Sequence, residues 1–301
     1  MTEVWVDTDF GFDDLWAILL LQHYDVQIAG VSLVSGNTAL PQVISNALGA
    51  AKAYGLEMPM WSGADQPLHR TQETAVRILG ATGIRTRGRQ FSVSDGCIPA
   101  AAERALATWL RQGSKNQEKV VLALGPLTNL ALLLARDPIA AQKITRLVWM
   151  GGSSGAGNHT NAAEFNAFAD PEALKFVVDA GIPLDVVDLL FCRQVVFGED
   201  DIPKADALTR DFLGGYLDIA LERGRDGMAI YDPLAAMAVA RPQRIQFEPQ
   251  GIDVSVKVGP SYGATRFSSV QDSHVRLAAA PDRHLTADCL AVLSREGPRN
   301  A

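Results

Sequence analysis

Four carboxylates stand close together near the start of the chain. Asp7, Asp9, Asp13 and Asp14 lie between a short apolar run and a second apolar run, residues 15–21, that has helical character. Carboxylates held a few ångströms apart repel one another and raise each other's pKa, so such a group normally binds a hard metal ion or a cationic ligand. The segment therefore predicts a site for a divalent ion with oxygen ligands, first Ca²⁺ or Mg²⁺.

Other interpretations of the acidic segment explain less of it. Helix capping and dipole interactions account for one or two of the aspartates, but not for all of them. An EF-hand loop needs oxygen ligands at alternate positions and a closing glutamate, whereas residues 15–21 are apolar. A Mg²⁺-dependent phosphatase with Asp7 or Asp9 as nucleophile also has its acidic motif after a strand. Gly11 stands where such enzymes usually carry threonine or valine, which counts against the phosphatase interpretation.

A second polar cluster, residues 157–166, is rich in amides and carboxylates but poor in nucleophiles. Asn158, Glu164 and Asn166 offer both donors and acceptors, which a polyhydroxylated ligand needs because each sugar hydroxyl gives and accepts hydrogen bonds. A loop of Asx turns that leads to a helix capped by Asp170 explains the end of this cluster. It leaves Glu164 and Asn166 without a structural explanation.

A third element, Tyr231 and Asp232, precedes an apolar stretch at residues 234–239. Asp232 by itself is typical of a helix N-cap. An acidic metal site at the end of the first strand still needs oxygen ligands from other parts of the chain. Asp232 is therefore a candidate ligand.

Short apolar runs alternate with amphipathic helical stretches along the chain. They are residues 4–6, 26–34, 120–124, 147–150 and 184–187. Runs this short and this apolar predict strands buried on both faces, and the intervening helices predict an α/β fold with an open, mostly parallel, doubly wound sheet. Ligands bind at the carboxyl ends of the strands in such sheets, and polar or glycine-rich clusters follow nearly every strand here.

Composition narrows the class of protein. The chain has 301 residues, 48% hydrophobic content and a formal charge of −7, so it can bury a large core and has no basic surface for nucleic acid or anionic membrane. Its three cysteines are scattered, and its start lacks the pattern of a secretory signal, which predicts a cytoplasmic enzyme. We expect one domain over residues 1–301.

The longest irregular segment, residues 62–99, interrupts the alternation of strands and helices. We expect a mobile loop there, with the arginines of residues 85–89 solvated. We also expect the last residues, 295–301, to be frayed.

Taken together, the motifs resemble the nucleoside hydrolase family of the inosine-uridine type, along nearly the whole chain. The family's opening pattern, Asp-x-Asp-Pro-Gly-x-Asp-Asp, is matched by residues 7–14, with Phe10 in place of proline. The later family motifs are matched in order by Asn37, residues 125–131, residues 158–166 and Asp232-Pro233.

The resemblance implies hydrolysis of the N-glycosidic bond of a nucleoside, giving ribose and a free base. The implied Ca²⁺ ligands are Asp9, Asp14, Asp232 and the backbone carbonyl of Leu124, supported by Asp7. Asp13 would be the general base toward a calcium-bound water. The implied ribose pocket consists of Asn37, Met150, Asn158, Glu164, Phe165 and Asn166.

The chain departs from the family pattern at two positions that bear on how the base leaves. Many members carry histidine immediately before the closing aspartate, where this chain has Tyr231, and some carry another where it has Leu79. An aromatic side chain there can stack on a purine or donate its phenolic proton, so Tyr231 makes purine nucleosides the predicted substrates and is a candidate catalytic residue. His69 and His159 are spare candidates for an acid.

Two further expectations follow from the resemblance. The family contains dimers and tetramers, so we expect a homodimer or a homotetramer. The loss of the leaving-group histidines leaves open a second hypothesis, a nucleoside-binding protein that keeps the calcium site without turnover.

Overall fold

One nine-stranded sheet carries the fold in the computed structural model, which describes residues 3–92, 96–113 and 117–294. The strands are β1 (Glu3–Thr8), β2 (Gln27–Leu33), β3 (Met60–Ser62), β4 (Val120–Ala123), β5 (Arg146–Met150), β6 (Leu184–Val187), β7 (Val196–Phe197), β8 (Met228–Ala229), β9 (Ile245–Val254), β10 (Thr265–Ser269) and β11 (Val275–Pro281). The order in the large sheet is β10-β9-β11-β6-β5-β4-β1-β2-β3, and β7 pairs with β8 separately. All pairs in the large sheet are parallel except those of β9 with β10 and β11.

Helices cover both faces of the sheet. They are α1 (Phe12–His23), α2 (Leu40–Tyr54), α3 (Val76–Leu79), α4 (Ala102–Arg111), α5 (Thr128–Arg136), α6 (Pro138–Ala141), α7 (Phe165–Ala169), α8 (Pro171–Asp179), α9 (Leu189–Cys192), α10 (Ala207–Leu221), α11 (Asp232–Ala240) and α12 (Leu285–Ala291). Alternate residues of β1 enter two different cores, because Val4 and Val6 join one apolar cluster while Trp5 joins the other. None of the described helices combines the length and the apolar character that crossing a bilayer requires.

The predicted fold class is confirmed. Each predicted strand is present, and all five are parallel and central because their side chains are buried on both faces. The chain runs from β1 to β2 and β3 on one side and from β4 to β6 on the other, so the order reverses beside β1. That reversal opens a crevice at the carboxyl ends of β1 and β4, where the acidic segment leaves the sheet.

The irregular segment 62–99 differs from its prediction. Arg85 forms an ion pair with Glu222, and both Nε and Nη2 of Arg87 donate to Asp218, so these two arginines attach the segment to α10. Both side chains stay partly exposed to solvent, as expected, but their ion pairs were not predicted because the partners are far along the chain. Mobility of the segment stays a prediction, and residues 93–95 and 295–301 lie outside the described residues.

Candidate active site

The acidic residues of the first loop meet Asp232 at the carboxyl end of β1. Oxygen atoms of Asp13, Asp14 and Asp232 lie within 4.8 Å of one another. Asp14 and Asp232 are buried, and α1 and α11 begin at this point, so each helix presents its N-terminal end to the cluster. Asp232 is the first residue of α11 and Tyr231 is its N-cap, so the N-cap interpretation of Asp232 is wrong.

Hydrogen bonds fix Asp14 and Asp9 from opposite sides of the cluster. The Thr8 hydroxyl donates to one oxygen of Asp14, and the Gly11 N–H donates to the other at 2.7 Å. Asp9 accepts from the Asn37 backbone N–H at 2.6 Å and from its side-chain amide at 3.1 Å. Asn37 therefore positions Asp9 as well as lining the cavity.

The backbone at Gly36 passes very close to Asp9. A Cβ atom at Gly36 would stand 2.1 Å from the Asp9 Oδ2. Only glycine lets the chain after β2 approach this carboxylate so closely.

Asp7 lies beneath the cluster, away from solvent. One of its oxygens accepts from the Ser32 hydroxyl and, at 2.8 Å, from the Asn129 side chain, while the other has no hydrogen-bond partner among the described residues. Burial raises the pKa of Asp7 to about 6. Its full enclosure excludes an attack on substrate, which removes Asp7 as a phosphatase nucleophile.

Asp13 lines the cavity, unlike the adjacent Asp14, and is only partly buried. The Tyr216 hydroxyl, from α10, donates to Asp13 Oδ2 at 3.1 Å. Burial and the charge of Asp14 raise the pKa of Asp13 to about 7. A carboxyl group poised near neutrality beside an open cavity has the properties of a general base.

The charge of the cluster is not balanced by the protein. No lysine or arginine among the described residues forms an ion pair with Asp9, Asp13, Asp14 or Asp232. Burial and mutual repulsion raise the pKa of Asp9 and Asp232 well above its usual range. A set of buried oxygen donors with uncompensated charge fits a hard divalent cation.

The amide-rich loop closes over the same cavity. Glu164 is the N-cap of α7, and its two oxygens accept from the backbone N–H groups of Gly152, Asn166 and Ala167 at 2.8, 2.8 and 3.0 Å. Burial raises the pKa of Glu164 to about 7. The capping role gives Glu164 the structural explanation that its sequence lacked. Oε2 accepts two of these bonds, whereas Oε1 accepts only that from Asn166 and so keeps a further lone pair for a ligand.

Two other residues of this loop are held just as firmly. Asn158 Oδ1 accepts from the Phe165 N–H at 2.9 Å. The Asn166 amide donates at 3.0 Å to the backbone oxygens of both Leu124 and Met150, which brings the ends of β4 and β5 together. The expected capping role of Asp170 is confirmed, since its side chain accepts from the Ala173 N–H.

A cavity of about 510 Å³ joins the predicted residues. Its lining includes Asp9, Asp13, Asn37, Leu124, Met150, Asn158, Glu164, Phe165, Asn166, Tyr231 and Asp232. Asp14 does not line it and reaches the cluster from below. This volume lies within the range of pockets that enclose small molecules.

The remaining candidates differ in their access to the cavity. Tyr231 lines it, and burial raises its pKa to about 12, so its phenol stays protonated at neutral pH and can donate a hydrogen bond. His159 lines the cavity against the ring of Phe168, and burial lowers its pKa. His69 is exposed and lies outside the lining.

Three side chains that position the site were not predicted from the sequence. Tyr216 contacts Asp13, Asn129 holds Asp7, and Arg193 donates at 2.9 and 3.0 Å to the carbonyls of residues 156 and 157. Asn129 lies in a motif whose pattern was visible, although its partner was not. Tyr216 and Arg193 carry no signal in the sequence, since their partners are far along the chain.

Comparisons with known proteins show the family to which the chain belongs. The profile of the inosine-uridine preferring nucleoside hydrolases matches residues 4–288. The pyrimidine-specific ribonucleoside hydrolase RihB of Escherichia coli strain SE11 is 30% identical over 269 residues, which cover 86% of this chain and 85% of that protein.

Solved structures share the fold. A plant nucleoside hydrolase, the PpNRh1 enzyme, superposes with a TM-score of 0.86 at 24% identity, over 97% of this chain and 99% of that one. The purine-preferring ribonucleoside hydrolase of Gardnerella vaginalis gives 0.87 at 22% identity, over 97% and 98%. The chain belongs to the inosine-uridine preferring nucleoside hydrolase family, whose members are N-glycosyl hydrolases.

Proposed function

We propose that this chain is a Ca²⁺-dependent ribonucleoside N-hydrolase that favours purine nucleosides. The observation that carries the proposal is the set of buried, uncompensated aspartates at the floor of a cavity lined by amide and carboxylate groups. The cation would neutralise the floor, and the polar walls would take the ribose hydroxyls.

The residues that would hold the ion are Asp9, Asp14, Asp232 and the carbonyl of Leu124. When bound, a divalent cation offsets the carboxylate charge and lowers the pKa of a water molecule at the floor. Ca²⁺ suits this set because it accepts several carboxylate and carbonyl oxygens in irregular geometry. Asp7 would support the site from below, through Ser32 and Asn129.

Asp13 would act as the general base. It faces the cavity, where it would take the proton of the water that attacks C1′ of the ribose, and the Tyr216 hydroxyl would hold its carboxylate in orientation. Asn37, Asn158, Glu164 and Asn166 would bind the ribose hydroxyls and so place C1′ beside that water. Met150 and Phe165 would supply apolar contacts to the sugar.

The purine preference rests on Tyr231, which lines the cavity beside Asp232. Its ring would stack on the base, and its phenolic proton would be available to the departing nitrogen. RihB, a relative at 30% identity, is named pyrimidine-specific, so the substrate panel has to include both classes of base.

A panel of nucleosides tests the whole proposal. Base release is measured from inosine, adenosine, guanosine, uridine, cytidine and 4-nitrophenyl riboside, after chelation and again after adding Ca²⁺, Mg²⁺ or Zn²⁺ singly. We expect activity to disappear with the chelator, to return best with Ca²⁺, and to be higher on purine nucleosides. Full activity in the chelator would refute the metal site, and pyrimidine-only turnover would refute the assigned preference.

A homo-oligomeric state and a cytoplasmic location stay predictions from the resemblance. Light scattering coupled to size-exclusion chromatography tests the first. A mass of one chain would overturn the expectation of a dimer or a tetramer.

A further inference from the structure

The cavity has opposite charge at its two ends. The acidic residues that line it, Asp9, Asp13, Glu164 and Asp232, belong to the floor, and three of them are nearly fully buried. Toward solvent the lining is cationic, with Arg77, Arg193, Arg223 and Arg225. A nucleoside whose ribose occupies the floor would place its base among these arginines.

These arginines are not equally available to a ligand. The guanidinium of Arg193 already donates to two backbone carbonyls, and that of Arg77 stands 3.8 Å from Glu73. The side chains of Arg223 and Arg225 form no hydrogen bond or ion pair with any described residue. Within the part of the chain that the structure describes, these two guanidinium groups thus line the cavity without a side-chain partner.

Arg225 is distinguished from Arg223 by its position. It lines the same cavity as Tyr231, and its charge, like that of Arg193, lowers the pKa of the Tyr231 phenol against the larger effect of burial. The short turn that carries Arg225 is anchored, because its backbone N–H donates to Ala220 at 3.1 Å and the turn leads directly into β8. Arg225 thus has an anchored backbone and an unpaired, exposed guanidinium group among the described residues, and it lines the same cavity as Tyr231.

We propose that Arg225 is a catalytic residue that stabilises the departing base as an anion. This inference rests on the proposed N-glycosyl hydrolysis. The C1′–N bond breaks and its electron pair stays on the base nitrogen, while the attacking water bonds to C1′ and gives its proton to Asp13. The base anion, paired with the guanidinium, then takes a proton from solvent. A cation near the point where negative charge develops lowers the barrier to departure, so the Tyr231 phenol need only hydrogen-bond to the base and not transfer its proton.

The dependence of rate on the leaving group tests this role. Rates of wild-type, Arg225→Ala and Arg225→Lys proteins are compared on inosine, uridine and 4-nitrophenyl riboside, whose nitrophenolate departs without help. We expect Arg225→Ala to lower kcat on both nucleosides by roughly tenfold to hundredfold, and to leave the nitrophenyl riboside within about threefold. We expect Arg225→Lys to keep part of the rate, and added guanidinium ion to restore part of the rate of Arg225→Ala.

The matched control is Arg104→Ala, an exposed arginine on α4 away from the cavity, which should leave all rates unchanged. Equal losses of Arg225→Ala on all three substrates would overturn the role and indicate structural damage. Unchanged rates would show Arg225 to be a solvated surface residue. In both cases wild-type turnover would leave the proposed hydrolase intact, whereas wild-type inactivity on every riboside would refute that function itself.

Discussion

Asp13 and Asp14 are adjacent in sequence, yet the structure gives them different surroundings. Asp14 is enclosed, and both its oxygens accept hydrogen bonds from the loop that precedes α1. Asp13 lines the cavity, and the Tyr216 hydroxyl donates to its carboxylate. These surroundings support the proposed roles, in which Asp14 would hold the cation and Asp13 would take the proton of the attacking water.

This difference predicts the effect of Asp13→Asn. The amide keeps the size of the side chain and can still accept from Tyr216, but it takes no proton. We expect kcat to fall by about 10²–10⁴-fold, with little change in KM or in Ca²⁺ affinity. Steady-state kinetics and calcium titration measure these quantities, with Asp65→Asn as the control on the exposed surface. Unchanged turnover would show that the base is another residue.

Phe10 shows how a departure from the family pattern is accommodated. Its φ is 49°, in the left-handed region, where proline, the family's residue at this position, cannot go. Its ring is fully buried, and its N–H donates to Thr8 Oγ1 at 3.0 Å, while Thr8 in turn donates to Asp14. The backbone strain is therefore held in place by packing and by the same bonds that position the metal site.

We expect that restoring proline at this position harms the protein. Phe10→Pro removes the N–H and forbids the observed φ, whereas Phe10→Ala removes only the ring. Phe10→Pro should therefore be less stable than Phe10→Ala by about 1–3 kcal/mol, as measured by urea unfolding. Equal stability would mean that the loop readily adopts a backbone that accepts proline.

Much of the acidic cluster was predictable at this scale because most of its residues share one short motif. Four carboxylates between a strand and a helix have few explanations other than a cation, and Asp232 follows from the need for further ligands. Tyr216 was not predictable, since 203 residues separate it from Asp13 and a lone tyrosine in an amphipathic helix looks like core. The N-cap role of Glu164 was also hidden, because the bounds of short helices such as α7 are weakly encoded.

At the scale of elements, the buried parallel strands were the easiest to predict. Their apolar runs are continuous because both faces are covered by helices. The antiparallel edge formed by β9, β10 and β11 was not predicted, because its strands mix exposed and buried residues without a clean alternation. The site lies on the predictable part, at the ends of β1, β2, β4 and β5.

The contact between α10 and the irregular segment joins two parts of the cavity wall. A Cβ at Gly215 would stand 2.4 Å from the Arg85 carbonyl oxygen and 2.5 Å from the Thr86 Cα. Because these are backbone atoms, the clash with an added Cβ can be relieved only if the segment moves away from α10. The same segment carries Leu79 and its neighbours on the cavity wall.

Gly215→Ala therefore tests whether this contact shapes the base end of the cavity. We expect a loss of about 1–3 kcal/mol in the free energy of unfolding from overpacking, and a several-fold rise in KM with a smaller change in kcat. Gly155→Ala is the control, because its Cβ would make only an ordinary contact, 3.5 Å from Leu190. Wild-type stability and KM in Gly215→Ala would show that the segment is not held there.

At the scale of the whole molecule, the buried carboxyl groups of the candidate site lower the free energy of unfolding when no cation is bound. Without a cation, buried carboxyl groups keep protons that the unfolded chain releases near its ordinary pKa. The pKa of Asp7 is raised from 3.8 to about 6 and that of Glu164 from 4.5 to about 7, while those of Asp9 and Asp232 rise as well. Between about pH 4 and pH 7 the folded state thus binds more protons than the unfolded state.

This excess of protons bound by the folded state determines how the free energy of unfolding changes with pH. The free energy of unfolding of the metal-free protein should fall as pH rises from about 4 to 7, at up to about 1.4 kcal/mol per pH unit for each such group.

A cation binds the deprotonated carboxylates, so its stabilisation should grow with pH, reaching about 2.7 kcal/mol at a concentration one hundred times Kd. We expect the Tm difference between millimolar Ca²⁺ and chelator to widen from pH 5 to pH 8. Asp232→Asn should lose most of that difference while keeping the downward trend in chelator, because Asp7 and Glu164 remain buried. A Ca²⁺ effect that is equal at both pH values would mean that protons and the cation do not compete for these carboxylates.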